Sequence, residues 1–279
     1  MMTVFFKRWN NHKQMAMSMG SALFILVIIV IFSQIIHIDD IKMDMTAISH
    51  APSMNHVFGT DWIGRDMFLR TMKGLSGSLA VGVISAVITL IMATMLAIIS
   101  AATCKQLDHV VGILIDTFMG VPHLVLLVLI SASLGGGKIG VIVAVALTHW
   151  PSLTRILRAE ILQLREAQFI YTSRQFGKSE WYIATRHMFW HILPQIMVKF
   201  VLLFPHVILH EAGLTFLGFG LSPLQPAIGI ILSESIQYIS TGMWWLVAFP
   251  GMALLVMVMC FESIGDSLNK ILNSETSRQ

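Results

Sequence analysis

An all-α protein that crosses a membrane six times is the fold this sequence predicts, on three observations. Of its 279 residues, 56% are hydrophobic and only 12% charged, a balance typical of chains packed against lipid and neighbouring helices. Apolar windows recur at about the twenty residues a bilayer requires. Lys and Arg are shared unevenly between the connecting segments, which sets orientation.

The elements follow in order. Residues 1–14 carry Lys7, Arg8 and Lys13 and read as a cytoplasmic N-terminus. The run 15–36 has no charged residue and no small-residue cleavage site, since Gln34, Ile35, Ile36 and His37 end it, so it is expected to be an uncleaved first span. A mixed polar stretch, 37–77, is placed outside. Further spans are expected at 78–102, 110–134, 138–157, 194–212 and 244–264, with a cytoplasmic loop at 158–193 and a cytoplasmic tail at 265–279. This arrangement puts twelve cations inside and five outside, with Lys199 near the inner end of span five. Both termini then lie in the cytoplasm of a multi-pass protein of the cell (plasma or inner) membrane.

Composition also excludes several classes. The net charge of +3 serves topology, and nothing points to nucleic acid. Cys104 and Cys260 stand alone, without a CxxC pair, which argues against a disulfide framework or thiolate metal site. No phosphate-binding loop, Gly-x4-Gly-Lys-Ser/Thr, occurs, and no nucleophile-base constellation or His-Glu-x2-His run marks an enzyme. A secondary transporter would show repeated halves with matching broken helices, and none is evident.

The polar island EAQFIYTSRQFGKSEWYIATRHMFWHILP, residues 166–194, organises the rest. Phe169, Ser173 and Phe176 fall at helical spacing. Gly177 suits the left-handed position that ends a helix, and Ser179 can cap a second one with Glu180 in its first turn. An apolar stripe on a unit with no lipid to face must press on another protein. The island resembles the coupling loop of ABC importer permeases, whose pattern is Glu-Ala-Ala, three residues, Gly, nine residues, Ile-x-Leu-Pro. Tyr171, Thr172 and Ser173 stand in place of Glu-Ala-Ala, and Leu193-Pro194 comes four residues late. The resemblance implies a type I importer permease fold and ATPase-coupling roles for Glu166, Ala167, Phe169, Thr172, Ser173, Phe176 and Gly177.

A second motif is GTDWIGRDMFLR, residues 59–70. Gly59, Thr60, Asp61, Gly64, Arg65 and Asp66 mark a tight turn whose charges, with Arg70, can close on one another beside the membrane. It is similar to the GTDxxGRDxxSR signature of the dipeptide, oligopeptide and nickel group of ABC permeases, in the subunit type that carries it near the N-terminus. Leu69 replaces the usual Ser. The expected role is a structural turn more than cargo contact. The outer segment 213–243 lacks Lys and Arg and is too apolar for a solvated loop, so it is expected to fold back among the spans, with Gly218, Gly220, Pro223 and Pro226 breaking any long helix.

Polar residues inside spans are costly and usually face a bundle interior. His206 and His210, four apart beside Pro205 and Glu211, share one face of span five. His206, His210 and Glu211 are therefore candidates for lining the translocation path. Two imidazoles supply too few ligands for a stable metal site. His123 beside Pro122 and His149 beside Trp150-Pro151 read more readily as supports of kinked helices. The His-x3-His run before Ala-Gly and the late Leu-Pro resemble the nickel or metallophore branch, which implies a chelated nickel, cobalt or zinc cargo; di- or oligopeptide import is the alternative. The resemblance further implies no cofactor on this chain, a second homologous permease, two ATP-binding subunits that hydrolyse ATP, an extracytoplasmic substrate-binding protein, and contact with membrane lipid.

Overall fold

The computed structural model describes residues 2–102, 105–222 and 226–276, so Cys104, Pro223 and Arg278 lie outside the described residues. Among the described residues, ten α-helices make the architecture: α1 Met2–Ile35, α2 Met67–Ala102, α3 Lys105–Met119, α4 His123–Ser133, α5 Gly137–Arg165, α6 Gln168–Gln175, α7 Glu180–Ile183, α8 Phe189–Phe216, α9 Ile228–Ser235 and α10 Trp245–Thr276. Five are long and apolar enough to cross a membrane, six crossings in all if α3 and α4 form one. Phe24, Ile31, Leu129, Ile139 and Leu255 are exposed on their outer faces, as lipid-facing residues are.

The expected span 110–134 is a sharply bent pair of helices. α3 and α4 meet at 93° across Gly120, Val121 and Pro122. Proline lacks an N–H and pushes the residue before it out of helical geometry. The carbonyl of Pro122 accepts from Val125 and Leu126 N–H at 3.0 and 3.1 Å, starting the new helix.

Other helices outrun the boundaries that hydropathy suggests, because hydropathy reads the lipid-thick part of a helix and not its ends. α2 begins at Met67 instead of 78, α5 runs on to Arg165 instead of 157, α8 spans Phe189–Phe216 instead of 194–212, and α10 absorbs most of the tail. α8 contains Pro194 and Pro205. Pro194 is only five residues from its start, and a π-type turn, Ala184–Met188, joins α7 to it.

Two apolar cores hold the bundle. The larger gathers Leu75, Val81, Leu127, Val145, Ile208, Leu214, Ile231 and Met257 from six helices. The smaller joins Val111, Ile115, Leu157 and Ile161 of α3 and α5 to Ile170, Ile183 and Met188 of the island. The 213–243 segment does turn back: α9 buries Ile228, Ile230 and Ile231, and the Ile228 N–H reaches Ser78 Oγ at 3.3 Å.

Candidate functional site

The island folds as helix, left-handed turn, helix. Gly177 has φ +72°. Its N–H donates to Arg174 O at 2.9 Å and Lys178 N–H donates to Ser173 O at 3.2 Å, the paired bonds of a Schellman ending. Ser179 Oγ then accepts from Tyr182 N–H at 3.2 Å and caps α7. Arg174 grips Glu180 through two bonds, 2.7 and 3.1 Å, a pairing that raises the guanidinium's pKa above its ordinary value. The pair is part-exposed and contributes only about 0.2–1 kcal/mol. The glycine turn therefore decides the angle between the two helices.

One face of this unit is anchored and the other is free. Ile170, Ile183 and Met188 are buried in the smaller core. Phe176 is 79% exposed, and Phe169, Tyr171, Trp181 and Trp190 are exposed with it. Glu166, Thr172 and Gly177 are exposed, while Ala167 and Ser173 are half-buried. Ala167 is the residue that starts α6, and the hydroxyls of Thr172 and Ser173 donate back to Gln168 and Phe169 carbonyls. These exposed aromatic side chains stand on an element whose opposite side is rooted in the helix core.

The GTDWIGRDMFLR motif closes around a carboxylate. Asp61, fully buried, accepts from the N–H groups of Ile63 and Arg65, from Arg65 Nε at 2.6 Å and from Arg70 Nη1 at 2.8 Å. Glu234, from α9, accepts from the same two guanidiniums at 3.3 and 2.7 Å. Trp62 lies beneath both cations and stacks on Tyr238 at 4.4 Å. Asp66 does separate work: it takes His56 Nδ1 at 2.7 Å and caps α2 by accepting from Phe68 and Leu69 N–H. Thr60 accepts from His50 N–H through its hydroxyl and from Trp245 Nε1 through its carbonyl, which ties the turn to α10. Gly64 has φ +81°, and a Cβ there would fall 1.8 Å from Asp44 O. Gly59, also at positive φ, precedes this turn. The motif thus joins α2, α9 and α10.

His210 has neighbours beyond the residue four positions before it. His206 is exposed, whereas His210 turns to His123 and His149, its ring centroid 4.6 and 5.1 Å from theirs. Helical spacing sees only one helix, and this grouping arises from packing α4 and α5 against α8. Glu211 is fully buried and faces Thr215, whose Oγ1 donates to it at 2.9 Å.

The family described as binding-protein-dependent transport system inner membrane component matches residues 93–278. The chain belongs to that family. It is the permease subunit of an ABC importer, an integral membrane protein that works with other transporter components. A dipeptide transport system permease protein, DppC of Bacillus subtilis (strain 168), is 28% identical to it over 273 residues, 97% of this chain and 85% of that one. A putative peptide transport system permease protein of Brucella suis biovar 1 (strain 1330) is 35% identical over 80% of the permease and 74% of the relative. A putative peptide permease protein of the same strain is 36% identical over 81% and 75%.

Sequence reasoning missed two features of the permease. Glu234 serves as the second counter-ion of Arg65 and Arg70, 164 residues from Arg70; its charge in the 213–243 segment, which is free of Lys and Arg, was the available signal. His123 and His149 join His210, and the signal was only that each histidine adjoins a proline or Trp-Pro step, which fixes a bend but not what it faces.

Proposed function

We propose that the permease imports di- or oligopeptides, pairing with a second homologous permease over two ATP-binding subunits and receiving cargo from an extracytoplasmic binding protein. The observation that carries the cargo class is the match to a dipeptide permease along 97% of the chain. The relatives' names favour peptides over the chelated metal expected from His206 and His210. In this reading ATP is bound and hydrolysed on the partners, both termini lie in the cytoplasm, and residues 166–188 seat their exposed aromatic edge on an ATP-binding subunit. Because Ile170, Ile183 and Met188 share a core with α3 and α5, movement of the seated loop carries those helices as one body, the kind of displacement that alternating access requires.

Uptake of radiolabelled di- and tripeptides by cells relying on this transporter alone tests the cargo. Saturable uptake, competed by unlabelled peptides and lost without the permease, is the expected result. Uptake of nickel, cobalt or zinc chelates with no peptide uptake and no peptide competition would overturn it.

A further inference from the structure

Three imidazoles from three helices meet inside the bundle. His123 opens α4, His149 lies within α5 and His210 within α8. Their ring centroids are 4.6 to 5.1 Å apart, and one nitrogen from each lies within 4.8 Å of the others. His149 Nδ1 lies 2.9 Å from Val145 O, which can only accept, so Nδ1 bears the proton and Nε2 presents a lone pair. Nε2 of His149 and Nε2 of His123 are buried with no hydrogen-bond partner. The rings therefore do not satisfy one another. If packing were their whole purpose, apolar side chains would fill the space without stranding polar atoms.

We propose that His123, His149 and His210 form a binding site for a divalent transition-metal ion. Three nitrogen donors suit Zn²⁺, Ni²⁺, Co²⁺ or Cu²⁺ and disfavour Mg²⁺ and Ca²⁺. Metal-nitrogen bonds of about 2.0–2.1 Å in a tetrahedral site place the nitrogens roughly 3.4 Å apart, so modest side-chain rotations close the present spacing. The Nδ1–H bond to Val145 O is the outer-shell contact that orients a ligating imidazole. A cavity of about 410 Å³, lined by residues 118–123 with Thr148 and Ser152, includes His123 in its wall. It leaves room for a fourth ligand, an amine or carboxylate of a small molecule or a water. The site stands independently of the cargo reading, because it rests on these side chains alone.

Co²⁺ titration of the purified transporter in lipid nanodiscs, with its partner permease and ATP-binding subunits, reads the site through the absorption of tetrahedral cobalt. The wild type is expected to show that band with one Co²⁺ per copy of this chain, and Zn²⁺ to bleach it. His149→Phe, which refills the volume without a nitrogen, and His210→Ala should weaken Co²⁺ binding at least about tenfold, the scale at which even outer-shell losses act. His191→Ala, at an exposed histidine near the opposite end of α8, should leave the band unchanged. Absence of the band in wild type, or its persistence in His149→Phe and His210→Ala proteins that elute as intact complexes, would overturn the site. Should His149→Phe fail to assemble, His123→Gln and His210→Gln carry the same expectation. The readout is metal and not transport, so failure here leaves the peptide reading standing, and failed peptide uptake leaves the site standing.

Discussion

Asp61→Asn is expected to cost about 3–5 kcal/mol of stability, the scale of removing one partner from a buried ion pair, and to deplete the permease from the membrane. The amide can still accept from Ile63 and Arg65 N–H groups, but its NH₂ must then face Arg65 Nε and Arg70 Nη1, donor against donor. Two guanidiniums, one of them with a side chain only 8% exposed, would share Glu234 alone. Asp66→Asn is the contrast. Asp66 is 18% exposed and serves His56 and the start of α2; asparagine caps a helix about as well as aspartate, so only the part-exposed His56 contact is weakened and the change is expected to cost under about 1 kcal/mol. Membrane abundance and the thermal unfolding midpoint of purified protein check both; equal behaviour of the two variants would show that the buried carboxylate does not hold this turn.

Gly177→Pro is expected to abolish import while the permease still inserts at normal levels. The turn needs φ +72° and a donating N–H. A non-glycine L-residue pays roughly 1–2 kcal/mol for left-handed geometry, and proline, fixed near −65° with no N–H, cannot adopt it at all. The helices flanking the turn would change their angle, and the aromatic edge would no longer present one surface. Damage stays local because Gly177 is exposed and a Cβ there meets nothing within 4 Å. Transport assays with parallel immunoblots of the membrane fraction read the outcome. Normal import in Gly177→Pro would mean that the loop geometry is not used.

Much of the fold was legible because it rests on short-range rules. Charge-free runs mark helices wherever lipid is the solvent, and the Gly177 turn and Ser179 cap follow from backbone freedom and from a hydroxyl at the right offset. Where direction mattered, residue type fell short. Pro122 signals a break but not a 93° bend, since the angle is set by what α3 and α4 pack against. The acidic partner of Arg70 was half visible: Asp61 is nine residues away and within the motif, whereas Glu234 is brought in only when the 213–243 segment folds back. The histidines show the same limit. Four-residue spacing put His206 with His210, and could not show that His210 also meets His123 and His149 of other helices.

Photo-crosslinking from position 176 in the assembled transporter tests docking of the island most directly. A photoreactive residue replacing Phe176, 79% exposed on the aromatic edge, should form an adduct with the ATP-binding subunit whose yield changes when ATP is added, while the same residue replacing Phe24 on the outer face of α1 should not. Adducts from position 176 only with lipid or with the second permease, in a transporter that remains fully assembled and active, would contradict the coupling role.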